Sequence, residues 1–242
     1  MGFSVPELAG AAAIAAVAGV VRGITGFGGA MVMAPPLALL LGPPLAVPVV
    51  LALESVAAAP MLVQTRREVR WPCVGPILAA ACLATPLGSY VLVAAEPQLL
   101  RRAIAAIVIV FSLLLLLGWR YTGRQRVASS VAIGAVSGAM LGATSIGGPP
   151  VILYLLSGPD PVTATRANLS LFVAGSALAG LLSLWAGGAL AAGAVLASLL
   201  LAPGYLAGLA GGVRLFARFD DQRFRRFTLL LLITVSAGIL LA

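Results

Sequence analysis

Few residues in this chain have the type and spacing to act on a charged solute. Two glycine-rich stretches, Gly26-Phe27-Gly28-Gly29 and Ser145-Ile146-Gly147-Gly148, interrupt otherwise apolar runs. An unwound stretch leaves backbone N–H groups without helical partners, and a helix restarting after it aims the positive end of its dipole at the break. The first stretch restarts at Gly28-Gly29-Ala30-Met31. The second restarts at Gly148-Pro149-Pro150, where proline suits the opening turn because its missing N–H had no partner there anyway. Two such ends meeting near the membrane centre would bind an anion, with glycine letting the ligand approach the backbone. The alternative is that these glycines serve only close helix crossing.

Arg22 stands beside the first break, inside an apolar run. A charge there must be compensated, either by an anion or by an ion pair with Glu54, unless the side chain snorkels. Glu54 is the only carboxylate clearly within an apolar run. It is a candidate carrier of a coupling proton, since a membrane-embedded carboxyl is readily kept neutral; the alternative is a fixed partner for Arg22 or for backbone groups. Thr25, Thr144 and Ser145 place hydroxyls at the breaks, and Asn168 and Ser170 lie early in the following segment. All are candidate ligand contacts, although Ser and Thr in membrane helices often bond their own backbone.

Other chemistries are excluded by residue type. There is no His, and all fifteen basic residues are Arg. No Ser-His-Asp or Cys-His set can form, and no metal-ligand spacing exists, so no metal or cofactor is implied. Gly26-Phe-Gly-Gly lacks the dinucleotide fingerprint and is followed by no Gly-Lys-Ser/Thr. The two cysteines, Cys73 and Cys82, share one apolar segment on opposite helix faces. A membrane thiol–disulfide electron carrier, one alternative reading, needs a reactive Cys in each half of the chain.

The elements that position these residues are set by hydropathy. Of 242 residues, 61% are hydrophobic and 9% charged, with a mean hydropathy of +1.11. A soluble domain carries about 25% charged residues. A crossing takes about 20 helical residues, so the chain reads as an all-α polytopic membrane protein with the bilayer as its solvent. The pI near 11 reflects arginines in short gaps between apolar runs, which set orientation, and no nucleic-acid partner is expected. No basic residue precedes Arg22, so the first apolar run is expected to be retained rather than cleaved as a signal.

The chain also repeats itself. Gly19-x-x-x-Gly23-x-x-Gly26-Phe27-Gly28-Gly29 matches Gly138-x-x-x-Gly142-x-x-Ser145-Ile146-Gly147-Gly148 at an offset of 119 residues. Two homologous halves are expected, 1–122 and 123–242. Apolar segments are expected at 8–21 and 30–41, then 47–65, 74–93 and 103–119. The second half is expected to place them at 127–143 and 151–156, then 165–185, 189–211 and 227–241. Each broken stretch is read as a helix hairpin that enters, breaks and returns, followed by three spans. Two short full spans in its place would give the same parity.

That parity puts Arg66, Arg67, Arg70, Arg120, Arg124, Arg126, Arg166, Arg214, Arg218, Arg223, Arg225 and Arg226 on one side, and Arg101 and Arg102 on the other. The first side is then cytoplasmic. Both termini are expected on the non-cytoplasmic side of a cell inner membrane, with the second half inverted relative to the first. Trp71, Trp119 and Trp185 fall at segment ends, as interfacial anchors do.

Gly26-Phe-Gly-Gly-Ala-Met-Val-Met-Ala-Pro35 and Gly142-Ala-Thr-Ser-Ile-Gly-Gly-Pro-Pro-Val-Ile-Leu153, half a chain apart, resemble the sulfite exporter TauE/SafE family. Arg166-Ala-Asn-Leu-Ser170 is similar as well. The resemblance covers nearly the whole chain. It implies secondary transport, often export, of sulfite, related oxyanions or organosulfonates. A passive anion channel is the other transport reading.

Overall fold

The computed structural model describes residues 4–119, 121–123, 125–158, 160–216 and 221–241. Arg120, Arg124 and Arg218, three of the arginines expected on the cytoplasmic side, lie outside them, as do the side chains of Arg223 and Arg225. The described residues form ten α-helices, with one 3-10 turn at Arg66–Glu68 and no strand. They are α1 (Val5–Thr25), α2 (Gly29–Leu41), α3 (Pro43–Thr65), α4 (Trp71–Ala94), α5 (Pro97–Leu116), α6 (Val127–Thr144), α7 (Gly148–Leu155), α8 (Val162–Ala186), α9 (Ala192–Phe216) and α10 (Asp221–Leu241).

Local sequence explains where these helices begin. Ser4 caps α1 reciprocally with Glu7, and prolines occupy the opening turns of α1, α3, α4, α5 and α7, where no N–H is lost from the helical ladder. Seven helices, α1, α3, α4, α5, α6, α8 and α9, include a stretch long and apolar enough to cross a membrane. Of α10, Arg226–Leu240 forms a shorter apolar stretch.

The two broken stretches differ from the expected pairs of half-helices. Each opens with a full-length arm, α1 or α6, and closes with a short one, α2 or α7. The sequence reading ended the first arm at Val21, ahead of Arg22 and Gly23, yet the helix runs on to Thr25. Gly23 lies in a helix–helix contact there and does not break the helix. At about 1.5 Å per residue, the eight residues of α7 reach roughly 12 Å, far short of a ~30 Å core. Pro149 through Leu155 are all buried, as polar backbone ends within a membrane require.

Glycines then decide the packing. A Cβ on Gly19 or Gly23 would overlap backbone of Tyr205 or Leu209, and one on Gly208 or Gly212 would overlap the carbonyls of Ala16 or Val20. The paired numbers rise together, so α1 and α9 run parallel in backbone contact. Gly134, Gly138 and Gly142 of α6 meet Ile77, Ala81 and Thr85 of α4 in the same way, again in parallel. Small residues that let backbones touch drive this association where lipid removes the hydrophobic incentive. α3 packs across α8, and α5 packs on α10.

The short arms are tied at their far ends. The Tyr154 hydroxyl of α7 lies 2.9 Å from the hydroxyls of both Ser129 and Ser130 at the start of α6. Gln125 Nε2 donates to the Tyr154 carbonyl at 2.7 Å. Arg101 Nε of α5 donates to the Ala38 carbonyl of α2 at 3.0 Å.

A methyl group at Gly138 would have to push Ala81 backbone aside. Gly138→Ala is therefore expected to destabilise the protein by about 1–3 kcal/mol. Gly75→Ala on α4, where a Cβ meets nothing within 4 Å, is expected to leave stability equal or slightly raised. Thermal unfolding of the two purified variants in detergent checks the contrast.

Candidate functional site

Both breaks open alike, with a left-handed residue closing the first helix. α1 closes on Gly26 with φ 77°, its N–H donating to the Arg22 carbonyl at 2.8 Å. α6 closes on Ser145 with φ 61°, its N–H donating to the Leu141 carbonyl at 2.7 Å. Left-handed backbone is easy for glycine and costs other residues about 1–2 kcal/mol. Ser145 is the one non-glycine among the described residues to adopt it. Its hydroxyl donates to the carbonyl of Thr144.

The threonine before each cap staples the turn. Thr25 Oγ1 donates to the Val21 carbonyl at 2.8 Å and also bonds the Phe27 carbonyl, while accepting the Phe27 N–H. Thr144 Oγ1 donates to the Met140 carbonyl at 2.7 Å and accepts the Ile146 N–H at 3.3 Å. These two candidate ligand contacts are thus engaged with backbone and hold the shape of the breaks.

The breaks face one another across a single cavity of about 40 Å³, room for a few waters at ~10–15 Å³ each. Gly26, Phe27 and Gly28 line it from one side; Ser145, Ile146 and Gly148 line it from the other. α3 contributes Leu51 and Glu54, and α8 contributes Leu169, Ser170, Val173 and Ala177. Of the residues singled out in the sequence, Arg22, Gly26, Gly28, Glu54, Ser145, Gly148 and Ser170 line this space.

Others lie beside it. Gly29 packs so closely that a Cβ there would meet the Glu54 carboxylate and the Tyr205 hydroxyl. Gly147 packs back onto Ser137 and Leu141 of α6. Asn168 turns its Oδ1 to the backbone N–H of Arg70 at 2.9 Å, in the turn between α3 and α4. Cys73 and Cys82 are free and half-buried, and neither lines the cavity.

The charges in the cavity wall are paired. Arg22 Nη1 lies 2.6 Å from Glu54 Oε2, and both residues are 4% exposed. The other carboxylate oxygen, Oε1, accepts the Tyr205 hydroxyl at 2.8 Å. The carboxylate therefore ties together α1, α3 and α9. Of the readings open for Arg22, the ion pair with Glu54 is what the fold contains. Tyr205, fully buried, was not singled out in the sequence. Its signal was a tyrosine near the middle of an apolar segment, away from the ends where Tyr and Trp anchor at interfaces.

The two sides of the cavity are chemically unequal. At the 119-residue offset, Leu141 corresponds to Arg22 and Val173 corresponds to Glu54, and both line the cavity. One wall is ionic and the other apolar.

This doubled break, walled by spanning helices, is accompanied by a match over residues 11–239 to the family model described as sulfite exporter TauE/SafE. The chain belongs to the sulfite exporter TauE/SafE family. No curated protein and no solved structure matches it. Membership in TauE/SafE makes the chain a multi-pass membrane transporter of sulfite or related sulfur anions. The TauE/SafE match runs through both breaks and every helix that lines the cavity.

Removing one partner of a buried ion pair leaves an uncompensated charge and costs about 3–5 kcal/mol, whereas replacing both with apolar groups is often neutral. Arg22→Leu alone and Glu54→Val alone are each expected to lower stability by that order. The double variant, which copies the residues of the second half, is expected to recover most of the loss. Unfolding of the purified variants, read as a double-mutant cycle, checks this.

Proposed function

We propose that the protein is a secondary carrier that exports a small sulfur-containing anion by alternating access. The anion sits between the two breaks near the bilayer midplane. Backbone N–H groups at Gly28, Gly29, Gly147 and Gly148 are donors, while the hydroxyls of Ser145 and Ser170, which donate to the carbonyls of Thr144 and Arg166, shape the wall of the site. Arg22 supplies charge, and Glu54 carries a proton coupled to the anion. The observation that carries this reading is the shared cavity, lined by both breaks and by a buried arginine. Interrupted segments at matching positions of two halves mark transporter substrate sites generally. In the proposed cycle, Thr25 and Thr144 keep the breaks open, and Asn168 acts at the turn carrying Arg70.

In this reading, residues 1–122 and 123–242 are inverted repeats. The packing supports it, because the pairing of α1 with α9 is mirrored by that of α6 with α4 when the halves are exchanged. The parallel direction of both pairs also agrees with the proposed parity. The arginine bias supports placing both termini on the non-cytoplasmic side of the inner membrane. Export follows the family's description.

Gly148 lines the cavity, and a Cβ there would meet only Ile152 Cδ1, at 3.9 Å. A larger side chain at this position fills the site without displacing backbone. Gly148→Leu is expected to insert and fold with little change in thermal stability, and to lose at least tenfold of its sulfite flux in proteoliposomes. Undiminished flux from a folded Gly148→Leu protein would refute the site.

A further inference from the structure

We propose that Arg22 exchanges partners during transport, releasing Glu54 to bind the anion, and that Tyr205 retains the protonated Glu54 carboxyl while it does so. This rests on the proposed function. It adds Tyr205 as a positioning residue, and it makes proton and anion move in the same direction.

The geometry separates the two tasks. Each carboxylate oxygen of Glu54 has its own partner, Arg22 Nη1 on Oε2 and the Tyr205 hydroxyl on Oε1. A guanidinium can only donate and carries a full positive charge, so it favours the carboxylate form. A phenol hydroxyl both donates and accepts. It donates to the carboxylate in the resting state and can accept the O–H of the acid once Glu54 is protonated. The pair is buried, yet Arg22 and Glu54 both border the cavity beside Gly26 and Gly28. An anion arriving there competes with Glu54 for the guanidinium. A buried carboxylate stripped of its counter-ion takes up a proton. One proton from the aqueous side open to the cavity adds to Glu54 as one anion pairs with Arg22, so the local charge is the same for a monovalent anion.

No other described ionisable group touches the carboxylate. α2 and α6 carry no ionisable side chain, and α8 carries Arg166 alone. The remaining ionisable groups on elements packed against α3 are Arg214 on α9, Arg101 and Arg102 on α5, Cys73, Cys82 and Tyr90 on α4, and the 66–68 turn. None of these lines the cavity.

Position reinforces the assignment. Tyr205 backbone is in direct contact with Gly19 on the α1–α9 seam, so Arg22 and Tyr205 are carried by one tightly joined helix pair. Glu54 is on α3, which packs chiefly across α8. Protonation therefore leaves one neutral hydrogen bond between α3 and this pair, where the resting state has an ion pair as well.

Infrared difference spectroscopy of the purified protein tests this, using sulfite, thiosulfate and methanesulfonate at fixed pH, with thermal stabilisation reporting binding. An anion that stabilises the protein should raise a protonated-carboxyl band. The band should be absent in Glu54→Gln. In Tyr205→Phe it should lie at higher frequency, because the acid has lost its hydrogen bond to the phenol. Stabilisation without the band, or a band that persists in Glu54→Gln, overturns the exchange and leaves the anion site standing. A Tyr205→Phe band at unchanged frequency overturns the role of Tyr205 alone. No stabilisation by any of the three anions sinks the site and this inference together.

Discussion

Opened backbone cannot face lipid. Each unpaired N–H or C=O in hydrocarbon costs several kcal/mol, so a helix break within the membrane demands walls of protein around it. The architecture answers that demand. Both breaks are enclosed by α3 and α8, and the short arms that follow them are packed inside the molecule. The glycine seams of α1 with α9 and of α4 with α6 draw the outer helices close enough to complete the enclosure. A cavity bordered by both breaks and walled by protein is the setting in which a small anion can approach the backbone of those turns.

The same enclosure explains the ionic cluster. Arg22 sits one turn before the break, where the chain is walled off from bulk water, and an isolated guanidinium could not stay there. Glu54 neutralises it, and Tyr205 satisfies the remaining carboxylate oxygen. Full satisfaction matters more than the strength of any one contact, because a half-satisfied buried network is worse than an apolar one. The second half takes the apolar solution at the corresponding positions, Leu141 and Val173. The ionic solution therefore stands at Arg22 and Glu54, and the apolar one at the positions 119 residues on.

Much of this was legible in the sequence, because hydropathy and glycine spacing report directly on membrane physics. The positions of the breaks, their repetition at 119 residues and the choice of Arg22 and Glu54 came from local signals. What escaped was set by tertiary contact. The apolar segment 8–21 stops short of the helix end at Thr25 because Arg22 and Gly23 lower the hydropathy there, while α9 packs against Gly23 and lets the helix run on. For Thr25 and Thr144 the sequence left ligand contact and bonding to their own backbone both open, and the structure adds the backbone bonds that each makes. Asn168 looked close to the site by sequence, yet its Oδ1 accepts from the turn that carries Arg70. Tyr205 lies 151 residues from Glu54, and no periodicity links them.

The unequal walls have a consequence for the proposed carrier, whose halves are read as repeats. If both halves presented the same groups to the cavity, the two access states would be near mirror images, with little to tie either one to a proton. Placing the one carboxylate that lines the cavity on α3, bonded to the α1–α9 pair and sharing the cavity with apolar Val173 on α8, breaks that equivalence. Under the proposed mechanism, the ionic tie strengthens one set of helix contacts, and the apolar wall offers nothing to replace it when the helices shift. A population shift needs a differential interaction between states. Under that mechanism, protonation of one buried carboxyl supplies the difference, and a scaffold read as two repeats would respond to proton binding in a directional way.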